Sequence, residues 1–288
     1  MICRVKRDVD TGVSVEGADV WHERLGWAFG LTASDPAERA AALVRLTDAE
    51  RNVQDALDRY NRAWRRRYAW GRRAAHRNYE KALRHSLPGA LWDRPAGPDI
   101  STWPGLPYAL CFLEWEAGYP REWTRYAKSW GTKEHLIRYM AAAHHDEAVR
   151  NRLVELVETV VRRPYRCKDR EYVRVARAVD GEDLRGRLER AARSDNPWAQ
   201  RHAGYVLWIL DRPEVPNTRH VWRTWLAAAS GEQAPTGVAR GAPVSLVESA
   251  GCRFEASGTM CPYSVGEPCH HGAGGGPGGC RGSHGRTP

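Results

Sequence analysis

Between Asp19 and Ala229 the apolar residues recur on faces of helical period, and strand signals are nearly absent. Side chains three or four positions apart share one face of an α-helix, whereas a half-buried strand buries alternate residues. Val13 and Val15 form the one strand-like alternation, which is too short to count as a strand. The periodicity therefore predicts an all-α fold.

Helix-start signals divide the pattern into segments. A first helix is expected over Asp19 to Phe29. Ser34-Asp35-Pro36 sets a capping side chain before a proline, which predicts a helix from there to about Leu46. Thr47-Asp48-Ala49-Glu50 matches a capping box and predicts the start of a much longer helix. Nothing breaks that helix before His85, since Pro88-Gly89 is the next stop signal. At 1.5 Å per residue it would be roughly 55 Å long.

This segment also holds the chain's excess charge. From Arg59 to Arg84 there are ten basic residues against one acid, Glu80, so its net charge of +9 equals that of all 288 residues. Placed at 100° intervals, Leu46, Val53, Leu57, Tyr60, Trp64, Tyr68, Gly71, Ala75, Tyr79 and Ala82 form one stripe that should face a core. Arg59, Arg62, Arg66, Arg73, Arg77, Lys81 and Arg84 lie opposite. Trp70 projects from the basic face, and an aromatic ring among guanidinium groups suits a nucleic-acid surface.

A Pro- and Gly-rich link over residues 88–107 follows, then helices expected at Tyr108 to Ala117, Arg121 to Trp130, Lys133 to Ala143, Asp146 to Arg163, Lys168 to Val179, Glu182 to Arg193, Pro197 to Leu210 and Thr218 to Ala229. Their lengths and short turns suggest an array of antiparallel pairs. The stretch DNPWAQRHAGYVLWIL resembles a helix of a HEAT-type repeat: a capped start followed by small and aliphatic packing positions. The resemblance covers one or two helices, and no second copy recurs at a fixed period. From Ser230 onward the chain carries 14 of its 27 Gly and none of its 13 Trp, which predicts a disordered tail. The expected organisation is thus an N-terminal helical region (1–87), the link (88–107), the helical array (108–229) and the Gly/Cys/His tail (230–288).

Composition narrows the class. Arg outnumbers Lys 39 to 5, and Trp outnumbers Phe 13 to 3, the usage of a GC-rich bacterial gene. No apolar run has signal-peptide or membrane-spanning length, so a cytoplasmic protein without integral membrane association is expected. Seven Cys, an odd number, argue against a disulfide framework.

Two constellations suggest metal. In the tail, Cys252, Cys261, Cys269, Cys280 and His284 are the candidate zinc ligands. Their cysteines are separated by 8, 7 and 10 residues with no CxxC, which is unlike known structural zinc sites. In the body, His144-His145-Asp146-Glu147 contains a His-Asp dipeptide that resembles the metal centre of HD-type phosphohydrolases. The resemblance implies a further His (His135 or His76) and a further Asp (Asp180 or Asp183). Asp146 is equally explained as a helix cap. No Walker loop, GxGxxG, GxSxG or HExxH motif is present.

The sequence reading is a non-catalytic helical protein, without cofactor, that binds nucleic acid, duplex DNA foremost, with little sequence specificity. Arg62, Arg66, Arg73 and Arg77 would neutralise phosphates and Trp70 would make the stacking contact. The alternatives are a helical scaffold docking an acidic protein partner and a metal-dependent hydrolase built on the His-Asp cluster.

Overall fold

The computed structural model describes residues 17–65, 69–95 and 100–229, and among these every regular element is helical. The eleven α-helices of this set begin with α1 (Ala18–Leu25), α2 (Pro36–Trp64) and α3 (Ala69–Arg84). They continue with α4 (Leu106–Gly118), α5 (Pro120–Tyr126), α6 (Trp130–Ala142) and α7 (Glu147–Val161). Last come α8 (Tyr172–Ala178), α9 (Glu182–Ala192), α10 (Pro197–Leu210) and α11 (Arg219–Ala229). Among the described residues no helix is long and apolar enough to cross a membrane.

The starts follow the side-chain chemistry. The Asp35 carboxylate accepts from the Ala37 N–H at 3.0 Å, Asp146 from Val149 at 2.8 Å, and Asn196 from Trp198 at 3.0 Å. Each cap satisfies a backbone donor that the first helical turn leaves open, an effect of about 1 kcal/mol.

Helix α4 is the centre of the body. Its sequence LPYALCFLEWEAG is apolar at nearly every position, and ten of its thirteen residues are buried, as a helix apolar on most faces requires. The 3₁₀ segment Gly26–Thr32, α5, α6 and α7 pack about it, and α9 and α10 pair with one another and close on α7. One hydrophobic core runs through these elements, from Trp21 and Leu46 to Leu210. Leu87, Ala90, Leu91, Ile100 and Trp103 belong to it, so the expected link is anchored in the same core at both ends.

The expected helix from Thr47 to His85 is corrected in two ways. It starts earlier, because α2 runs unbroken from Pro36; Thr47 lies inside it and its hydroxyl donates to the Leu43 carbonyl at 2.9 Å. It also ends earlier, at Trp64, and α3 begins at Ala69 and packs back against α2. A single 55 Å helix would leave most of its apolar stripe without a partner. Broken after Trp64, the stripe buries against itself: Val53, Ala56 and Tyr79 form a second small core, with Leu57, Tyr60, Ala82 and Leu83 packed on it. The Tyr60 and Tyr79 rings lie parallel with centroids 6.0 Å apart. The result is an antiparallel helical hairpin.

Candidate nucleic-acid interface

The hairpin presents two grooves, an outer one toward its turn and an inner one toward the body. The outer groove, about 340 Å³, is lined by Tyr60 and Trp64 of α2 and by Arg72, Arg73, His76 and Arg77 of α3. Its aromatic wall is ordered by ring contacts: Tyr60 meets Trp64 edge-on at 6.1 Å and His76 at 5.3 Å, and the Arg72 guanidinium sits over the Trp64 ring at 5.2 Å. Trp64 is 56% exposed, although its place in the apolar stripe predicts burial. It lies at the end of α2, beyond the point where the hairpin core can cover it.

The electrostatics of the hairpin differ from those of the body. Arg59, Arg62, Arg65, Arg73, Arg77 and Lys81 are exposed, and among the described residues none has a carboxylate within 4 Å. The one acid of the stretch, Glu80, faces His76 at 3.5 Å. Many body arginines are paired instead: Arg138 with Glu134 and Glu171, Arg152 with Glu114, Arg162 with Glu158, Arg185 with Asp180 and Asp211, Arg187 with Asp183 and Glu158. Others, among them Arg121, Arg125, Arg190, Arg201, Arg212, Arg219 and Arg223, are exposed with no carboxylate within 4 Å among the described residues. What sets the hairpin apart is density: six such cations fall between Arg59 and Lys81, beside the exposed Trp64 ring.

The sequence-derived constellation is only partly brought together. Arg73 and Arg77, one turn apart on α3, share the outer groove. Arg62 is exposed on α2 but lines neither groove. Arg66 lies outside the described residues, as does the side chain of Trp70, whose backbone is in the first turn of α3. Cys252, Cys261, Cys269, Cys280 and His284 also lie outside the described residues. Trp64 and Arg72, missed in the sequence, become lining residues because the helix folds back. The usable signal was the run Arg65-Arg66-Arg67 directly after Trp64, where like charges crowd one turn.

The His-Asp cluster is taken up by the fold. Asp146 caps α7, and the His145 Nε2 is 2.7 Å from the Met140 carbonyl oxygen. Its proposed companions are dispersed: His135 stacks on Trp92, His76 faces Glu80, Asp180 holds Arg185 and Asp183 holds Arg187. Among the described residues no three His, Cys, Asp or Glu side chains gather as metal ligands. Cys111 is buried with its Sγ donating to the Ala28 carbonyl at 3.2 Å, and burial pushes its thiol up to about 12, leaving it inert as a nucleophile.

The densest charge cluster is internal. Glu114 and Glu116 leave α4 on different faces, Glu114 to Arg152 and Glu116 inward. Glu116 pairs with Lys133 at 3.1 Å, Arg163 at 2.9 Å and Arg166 at 2.8 Å, and Asp169 pairs with Lys133 at 2.6 Å and Arg163 at 2.8 Å. Arg166 also donates to the Thr124 hydroxyl and lies over the Trp130 ring at 5.2 Å. Burial opposes the Arg163 charge, but the Asp169 and Glu116 carboxylates outweigh it and hold its pKa above the ordinary value. Burial lowers that of Arg166. With its charged atoms mutually engaged, this cluster clamps α4, α6 and the turn after α7 rather than offering a reactive group.

No protein-family model, no curated protein and no solved structure matches the chain.

Proposed function

We propose that this chain is a non-catalytic nucleic-acid-binding protein that holds duplex DNA, with little sequence specificity, on the hairpin of α2 and α3. The observation that carries the reading is the crowding of six exposed cations, Arg59, Arg62, Arg65, Arg73, Arg77 and Lys81, onto one hairpin with no carboxylate within 4 Å among the described residues. Solvated guanidinium groups without internal partners are free to replace the counterions of a phosphate backbone. Arg73 and Arg77 supply that contact from the outer groove and Arg62 from the back of α2, with Arg66 and Trp70 belonging to the same stretch. The exposed Trp64 ring, held by Arg72, offers a surface for a sugar or base. No element of the interface reads base edges, hence the low specificity.

The test is fluorescence anisotropy of random-sequence duplex DNA between about 50 and 200 mM salt. Neutralising four to six phosphates gives a slope of log K against log salt of roughly −4 to −5. The triple variant Arg62→Ala, Arg73→Ala, Arg77→Ala should flatten it by nearly 3. Trp64→Ala should weaken binding about 5- to 100-fold while leaving the slope alone, since a ring releases no counterion. Absence of binding at low salt by the folded protein would overturn the reading and move the basic hairpin to the acidic-partner scaffold.

A further inference from the structure

The inner flank of the hairpin forms a second and larger concavity, about 640 Å³, walled by α1 and the 3₁₀ segment after it, by α2 and by α3. That is the size of a small-ligand site rather than of a surface wrinkle. Four cations line it, Arg24 from α1, Arg45 and Arg59 from α2 and Lys81 from α3. Arg45, Arg59 and Lys81 have no carboxylate within 4 Å among the described residues. Arg45 and Arg59 stand about 21 Å apart along α2, so the positive potential extends along the cleft, an arrangement that a bound anion relieves. Of the two acids at the rim, Asp48 is engaged by Arg51 at 2.8 Å. The other, Glu23, stands on α1.

We infer that this cleft is a binding site for a phosphorylated nucleoside. Arg59 and Lys81 take the phosphate, and Arg45, about 21 Å from Arg59 along α2, extends the positive wall of the cleft. Glu23, an acceptor without a proton to give, suits the sugar hydroxyls. Asn52 and Asn78 bring amides with both donor and acceptor atoms, as a base edge requires. Trp27 gives an aromatic wall whose orientation is fixed by its indole N–H donating to the Arg24 carbonyl at 3.1 Å. The same chemistry is available from a free nucleotide or from a nucleotide unit of a nucleic-acid strand. Only the second source rests on the function proposed above.

Isothermal titration calorimetry of the full chain with ATP, with adenosine and with duplex DNA separates these sources. Three proteins are compared with wild type: Arg45→Gln/Arg59→Gln/Lys81→Gln, Asn78→Asp, and the outer-groove pair Arg73→Gln/Arg77→Gln. All six positions are exposed on α2 and α3, and circular dichroism checks that each variant keeps its helices. For a free nucleotide, ATP binds one per chain, adenosine binds at least tenfold more weakly, and the cleft triple and Asn78→Asp each weaken ATP at least tenfold while the outer pair does not. For a strand, ATP does not bind, but the cleft triple and Asn78→Asp weaken DNA at least tenfold. If ATP and DNA affinities stay within twofold of wild type in both cleft variants, the inference is overturned. Loss of DNA binding confined to the outer pair, in a wild type that binds no ATP, would do the same while leaving the proposed function standing.

Discussion

Glu116 is surrounded by more positive charge than it and Asp169 can neutralise. The buried cluster holds three cations, Lys133, Arg163 and Arg166, against two carboxylates, for a net +1. Lys133 and Glu116 have no exposed side-chain surface, so solvent cannot make up the difference. Glu116→Gln raises the internal charge to +2 and should cost about 3–5 kcal/mol, the range for removing one partner of a buried pair. Lys133→Met lowers it to zero and should cost distinctly less, about 1–2 kcal/mol. Denaturant midpoints of the two variants test this ordering, and equal losses would refute the charge argument. Glu50 makes a second residue-scale case. It lies on the α2 stripe between Leu46 and Val53, and burial pushes its carboxyl up to about 7 from an ordinary 4.5. The folded state therefore holds this proton more tightly than the unfolded chain does. The associated stability is fully present below pH 4.5 and is lost as pH rises through about 7. Glu50→Gln should leave stability unchanged near pH 4.5 and raise it by about 1–2 kcal/mol at pH 8, after allowance for the part of the group that water screens. A gain of the same size at both pH values would remove Glu50 as its source.

At the scale of elements, the hairpin is held by far less than the body is. Its own core has three buried residues, whereas the main core draws on α1, α2 and α4 to α10. Tyr79→Ala deletes the largest of the three and the ring stacked on Tyr60, a loss of about 3–5 kcal/mol if the site cannot collapse. Hydrogen exchange should then accelerate in α3 and in α2 beyond Val53 while α4 and α7 keep their protection. Uniform loss of protection would mean that hairpin and body unfold as one. The elements also show what a sequence displays and what it hides. The eight helices after the link were legible because Asp146, Asn196 and a proline or glycine between most segments mark their ends chemically. The break after Trp64 was not, because no proline or glycine stands there. The periodic stripe continues through it, and only the gain from burying the two halves against each other selects the turn. The Thr47–Glu50 capping box misled for the opposite reason: a local cap signal has no force where the preceding turn is already helical.

Over the whole molecule, the candidate site was legible as charge and illegible as shape. That Arg73 and Arg77 sit on a basic surface followed from counting. That Trp64 rather than a core position completes the groove, and that Arg59 and Lys81 look into a different cleft from Arg73 and Arg77, required the fold-back of α3. The paired arginines of the body would be indistinguishable from the unpaired ones by composition alone, since their carboxylates come from other helices, as Glu114 does for Arg152. Helix α2 belongs to both regions. Its first half contributes Ala42 and Leu46 to the main core, its second half contributes Val53 and Ala56 to the hairpin, and no break separates them. From Leu46 to Trp64 it is a rod of about 27 Å with no pivot along its length. A polyanion that grips the tip therefore acts on a lever seated in the body: it cannot be held loosely at arm's length, and whatever torque it exerts is delivered to the packing around Leu46.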